Sequence, residues 1–124
     1  MKRVTLCLLG LLLVACGGSA ETAEEGPELE PAVRAYSAAY LSGNGDEAHA
    51  LLTARCRERT PIEELRVAAA LGKEQYGTAK LTSVDIVEES GNLARVTYRY
   101  DMASIDQVAE PWALEDGAWR NDDC

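Results

Sequence analysis

The chain has 124 residues, with 21 acidic and 12 basic side chains, four cysteines, five tyrosines, two tryptophans and no phenylalanine. That length allows one small domain, and a formal charge of −9 repels phosphate backbones, which argues against nucleic acid as a partner. Beyond the first 15 residues no apolar run approaches the roughly 18 residues that mark a membrane span.

Residues 1–16 read MKRVTLCLLGLLLVAC. Lys2 and Arg3 give a basic start, and the 12 residues Val4 to Ala15 form an apolar run. As a helix that run spans about 18 Å, short of a hydrocarbon core of about 30 Å, so it reads as a secretory signal peptide rather than a span. Leu13-Val14-Ala15-Cys16 resembles the lipobox of bacterial lipoprotein precursors. The resemblance implies that residues 1–15 are a lipoprotein signal peptide. It also implies that Cys16 is the lipidation site, carrying a diacylglycerol and becoming the N-terminus. The protein is then expected in the cell envelope, extracytoplasmic and held to the membrane through that lipid. Losing Lys2 and Arg3 leaves 10 basic against 21 acidic residues, a formal charge of −11.

Residues 16–30 are expected to form the lipidated N-terminus and a flexible tether. Gly17 to Glu30 contains five Glu, three Gly and one Pro, and Leu29 is its single large apolar side chain. Such a segment buries too little to offset its ordering entropy. The domain is therefore expected over residues 31–124.

Pro31 suits the first turn of a helix, and Val33, Tyr36 and Tyr40 share one face of it before Gly43. Asn44 can cap a second helix, with Glu47 three residues on and Ala48, Leu51 and Leu52 as its apolar stripe. Gly43-Asn44-Gly45-Asp46-Glu47-Ala48 matches a dinucleotide fingerprint by letters only, because it joins two helices and carries two acids. Thr60-Pro61-Ile62-Glu63 reads as N-cap, N1 and a Glu at N3. Ile62, Leu65 and Ala69 form the buried face of that third helix, with Gly72 or Gly77 as its end.

After Gly77 the period changes to two. Lys80 to Glu88 reads as a strand with Thr82, Val84 and Ile86 on one side, and Ser90-Gly91-Asn92 as a turn. In Leu93 to Met102, the residues Ala94, Val96, Tyr98, Tyr100 and Met102 alternate with Arg95, Thr97, Arg99 and Asp101, which predicts one buried and one wet face. A third strand is expected from Gln107 to Glu115, with Pro111 marking an edge or a bulge. Asp116-Gly117 turns into a fourth, Ala118 to Asp123. Helices followed by hairpin-linked strands predict an α+β fold, with three N-terminal helices packed on a curved four-stranded antiparallel sheet.

Cys7 leaves with the signal peptide and Cys16 takes lipid, so Cys56 and Cys124 remain. In an exported chain that pair predicts a disulfide. A loop of such length is expected to stabilise by roughly 4 kcal/mol. A Cys nucleophile would need a base, and the one histidine is His49. Two Cys and one His do not complete a structural zinc site, so neither a metal nor a cofactor is expected. The acid pairs Glu63-Glu64, Glu88-Glu89 and Asp122-Asp123 read as solvated charge.

The element order resembles the nuclear transport factor 2-like fold, also called cystatin-like or SnoaL-like. The residues that carry the likeness are the Tyr-rich first helix, the Gly43-Asn44-Gly45-Asp46-Glu47-Ala48 helix start, Cys56-Arg57, Tyr76-Gly77, and Trp112 to Trp119. Small envelope lipoproteins of high-GC Gram-positive bacteria have a similar plan of tether, domain and late cysteine. Asn121 departs from it, sharing a face with Trp119 where an apolar residue is expected.

The resemblance implies a cone-shaped domain, and such cones often hold small apolar ligands. Tyr36, Tyr40, Tyr98, Tyr100 and Trp112 either line a ligand pocket at the mouth of the cone or fill its core. With no Phe in the chain, a filled core is the expected arrangement. Enzymes of this superfamily that resemble ketosteroid isomerase place a carboxylate inside the cone. Asp85 and Asp101 have outward parity here, and Glu110 alone has inward parity, beside Pro111. No catalytic residue is therefore assigned. The expected role is a non-catalytic, lipid-anchored envelope protein that binds a protein partner or a small apolar molecule. The other reading is a small isomerase or lyase. An open cavity of about 300 Å³ or more holding an inward carboxylate is the feature that would favour the second.

Overall fold

The first helix ends in a Schellman motif. Gly43, at φ +79°, donates its N–H to the carbonyl of Tyr40 (3.1 Å), and Asn44 donates to that of Ala39 (2.9 Å). The computed structural model describes residues 28–124, so the expected signal peptide, Cys16 and most of the expected tether lie outside the described residues. Four helices come first: α1 (Leu29–Leu41), α2 (Gly45–Ala50), α3 (Ala54–Arg59) and α4 (Ile62–Tyr76). Four strands follow, β1 (Leu81–Ser90), β2 (Leu93–Tyr100), β3 (Gln107–Glu115) and β4 (Ala118–Asn121), with a 3₁₀ turn at Ala103–Ile105. They pair antiparallel in the order β1-β2-β3-β4. The class is α+β, as the pattern predicts, with four helices in place of the expected three.

α1 begins at Leu29, so the expected tether ends before Glu30. Leu29 is buried with Val33 against Val96, Trp112 and Trp119, which is reason enough for the chain to be ordered from there. Pro31 falls in the first turn, where its missing N–H has no intrahelical partner to lose. Asn44 caps α2: its Oδ1 accepts from the N–H of Glu47 (3.1 Å), and its Nδ2 donates to the Glu47 carboxylate (2.9 Å). A β-carbon on Gly45 would lie 2.5 Å from the Cα of Arg66, so glycine lets α2 rest on the backbone of α4.

The unexpected helix is α3. Its six residues, Ala54-Arg55-Cys56-Arg57-Glu58-Arg59, carry no apolar stripe. Thr53 caps it by accepting from the N–H of Cys56 (3.3 Å), and Cys56 packs with Ala48, Leu52 and Leu65. At α4 the cap position is Pro61, one residue later than expected, and no side chain caps it. The helix continues through Gly72 to Tyr76.

α1 packs on β1 and β4 with one side and on α2 and α4 with the other. Tyr36 bridges the sheet-side and helix-side cores. On β2 the apolar row holds, with Ala94, Val96 and Tyr98 buried against α1 and Tyr100 packed beside them, but Thr97, expected on the wet face, is buried as well. Met102 lies past the end of the strand.

β4 ends at Asn121 rather than Asp123. Asn121 accepts from the N–H of Thr53 (2.9 Å) and donates to the carbonyl of Leu51 (3.0 Å), drawing the chain end toward α3. Cys56 and Cys124 are joined there in a disulfide with Cα atoms 5.5 Å apart, across a sequence separation of 68. Asp122, expected to be solvated, accepts instead from the Thr53 hydroxyl (2.7 Å) and pairs with Arg55 (2.9 Å).

Candidate functional site

β3 carries one extra residue opposite β2. Val96 pairs with Glu110, but the next inward residue, Tyr98, pairs with Gln107, so Val108 and Ala109 share the place opposite Thr97. Ala109 adopts φ +51°, and the Thr97 hydroxyl accepts its N–H at 3.0 Å. A bulge of this kind re-aims side chains. The inward row becomes Trp112, Glu110, Gln107, and Val108 is turned out to 70% exposure.

Glu110 and Gln107 of this row face a cavity of about 540 Å³, open to solvent. Tyr36 and Tyr40 of α1 form one wall, Gly72 and Tyr76 of α4 the next, and Tyr98 and Tyr100 of β2 the sheet side. Glu110 lies inside and Asp123 completes the wall from the chain end. The interior expected to be filled is hollow, because the tyrosine rings stand around a space rather than across it. Of the five expected pocket residues, Tyr36, Tyr40, Tyr98 and Tyr100 line it. Trp112 does not. It is 1% exposed, meets Tyr36 edge to face at 5.9 Å and supports the wall from behind.

Glu110 is 7% exposed. Its Oε2 accepts two hydrogen bonds, a very short one from the Tyr98 hydroxyl and one from Trp112 Nε1 at 3.2 Å. Among the described residues its Oε1 has no hydrogen-bond partner. Asn121, 1% exposed, lies close enough to favour the ionised carboxylate, yet its Nδ2 completes no hydrogen bond of normal geometry. Its Oδ1 accepts from the N–H of Asp123 at 3.1 Å.

Burial raises the pKa of Glu110 above the usual carboxylate range, and repulsion from Asp123 adds to this. The Tyr98, Asn121 and Trp112 donors oppose the shift without cancelling it. Burial, then the nearby Glu110 charge, also pushes up the phenols of Tyr36 and Tyr98, which therefore stay protonated as donors. Burial raises Tyr100 as well, against the opposing hydrogen bond with Ser37 (2.6 Å). A carboxyl with one oxygen held by donors and the other without a protein partner, in a pocket open to solvent and ringed by phenols, can bind a donor group or move a proton.

Glu110 was legible as the one acid with inward parity, while Asp123 was read as solvated charge. Asp123 continues the inward row of Trp119 and Asn121 by two-residue spacing, so the alternation carried a signal that its reading as half of an acid pair passed over. Asp85 lies exposed, and Asp101 accepts from the N–H of Lys80 at 2.8 Å. His49 contacts the carbonyl of Thr60 through Nε2 at 2.9 Å. Among the described residues no three His, Cys, Asp or Glu gather in a way that could hold a metal ion. Comparison of the chain with protein-family models, with curated proteins and with solved structures returns no match, so the reading of this cavity rests on its own chemistry.

Proposed function

We propose that this protein is a lipid-anchored component of the cell envelope whose cone-shaped, nuclear transport factor 2-like domain binds a small molecule in the tyrosine-walled cavity. The observation that carries the reading is the open space of about 540 Å³ with the Glu110 carboxyl inside it. That volume is within the range of ordinary small-molecule pockets, roughly 300–1,000 Å³, and its walls are aromatic rings with hydroxyl tips, with Glu110 and Asp123 as the charged groups. The anchor is supported by the basic start, the 12-residue apolar run and Leu13-Val14-Ala15-Cys16.

Trp112 touches both Tyr36 and Glu110, so a ligand in the cavity should change tryptophan emission. Titration of the full chain with small-molecule pools, read by that emission and by thermal shift, tests binding. Pools that move neither signal overturn it. Cys16→Ser tests the anchor: the variant should leave the membrane fraction, and normal processing with retention after carbonate washing would refute lipidation.

A second reading, proton transfer next to a carbonyl, is favoured by the same open cavity with its inward Glu110, a buried carboxyl whose raised pKa suits a general base or acid. Here Glu110→Gln should abolish turnover of a bound carbonyl compound while leaving it bound.

A further inference from the structure

We infer that the ligand of this cavity is an organic cation, an ammonium group on an apolar body, held between Glu110, Asp123 and the tyrosine rings. The inference rests on the small-molecule reading and specifies its substrate class.

The charged lining is one-sided. Glu110 and Asp123 border the space together with five tyrosines and the neutral Ser37, Gln75, Ser104 and Gln107, and among the described residues no Lys, Arg or His lines it. The ion-paired arginines are engaged elsewhere: Arg34 with Glu30, Arg55 with Asp122, Arg66 with Asp46 and Glu63, and Arg99 with Asp106. No basic side chain among the described residues pairs with Glu110 or Asp123.

Three ligand classes can be weighed against that lining. An anion would enter a space that already sets two carboxyls against each other, at a reduced dielectric that magnifies repulsion. A purely apolar molecule would cover Glu110 Oε1 and supply no partner, leaving a buried acceptor unsatisfied at about 1–3 kcal/mol. A cation supplies the missing counter-charge and donors, and aromatic faces attract it further. Its apolar body would lie against Leu41, Leu71 and Ile105, which also border the space.

The test uses the full chain in detergent and three probes of similar shape: 2-phenylethylamine, 2-phenylethanol and phenylacetate. Titration calorimetry should give the amine at least tenfold higher affinity than the alcohol, with phenylacetate weakest. In Glu110→Gln that preference should fall to within threefold. Asp123→Asn, at an exposed position that need not disturb folding, should reduce it severalfold. The inference is overturned if the alcohol or the acid binds as well as the amine, in which case the small-molecule reading stands. It is also overturned if the amine preference persists unchanged in both variants, which would locate its source outside these carboxyls. If none of the three binds and the pooled screen is silent too, both readings fall.

Discussion

A β-carbon on Gly72 would lie 2.6 Å from Cε1 of Tyr40. Glycine in the middle of α4 is thus what lets the Tyr40 ring lie against that helix and leaves the cavity open. An alanine there would gain up to about 1 kcal/mol of helix propensity, roughly offsetting the strain of moving a side-chain ring. The ring's free direction is into the cavity. Gly72→Ala should therefore leave the melting temperature nearly unchanged and weaken ligand binding tenfold or more. Unaltered affinity in a folded variant would show that the space by Tyr40 is not used.

The disulfide couples stability to the site. Cys56 is buried in the helical core, and Cys124 follows directly on Asp123, which lines the cavity. Reduction should lower stability by about 2–4 kcal/mol, because an open chain regains the loop entropy. Denaturant titrations with and without reductant check this. Cys124→Ser should also weaken any binding that depends on Asp123. Two freely alkylated thiols in protein isolated from the envelope would contradict the bond.

Glu110 predicts a pH signature. Because burial raises its pKa, the folded protein holds this proton more tightly than the unfolded chain does. Its contribution to stability is complete below the ordinary carboxylate pKa and is lost as pH rises through the raised value. Glu110→Gln keeps an oxygen for Tyr98 and Trp112 to donate to and cannot ionise. The melting temperature of the variant, relative to the parent, should rise as pH is raised from the ordinary carboxylate range, about pH 4, to neutral and above. A constant difference across that range would mean that Glu110 titrates normally.

Much of the sheet was legible because two-residue alternation survives translation into structure. Ala94, Val96 and Tyr98 face the helices as their spacing requires, and a slip of one residue would have buried Arg95 and Arg99. α3 was not legible. It is held by the Thr53 cap, the buried Cys56 and its bond to Cys124, which are tertiary constraints on a charged hexapeptide. The bulge at Ala109 left no mark except the neighbouring Pro111, since Ala has no preference for positive φ. Asn121 breaks the apolar face beside Trp119 because its Oδ1 accepts from the N–H of Asp123, while its backbone joins Leu51 and Thr53. The cavity was hidden for a different reason. Tyr36, Tyr40, Tyr98 and Tyr100 border it, and whether rings fill or surround a space depends on features such as Gly72, which reads in sequence as a helix end.

Tyr98 belongs to both the core and the cavity, and two substitutions separate those roles. It is 2% exposed and packs with Val33, Val96 and Trp112, so Tyr98→Ala should cost about 3–5 kcal/mol, as for other large aromatic truncations. Tyr98→Phe keeps the ring and removes only the donor to Glu110 Oε2. That leaves Trp112 Nε1 as the remaining donor at normal hydrogen-bond geometry, so the ionised carboxylate loses support and the pKa of Glu110 should rise further. The loss should be small at low pH, where Glu110 is protonated in any case, and should grow to about 1.5–3 kcal/mol in alkaline solution, the usual range for a hydrogen bond to a charged group. Combining Tyr98→Phe with Glu110→Gln should abolish that growth, because no charge then remains to be stabilised. Denaturant melts of the four proteins at low and high pH measure it, and a loss that does not depend on pH would mean that the Tyr98 hydroxyl does not support the ionised carboxylate.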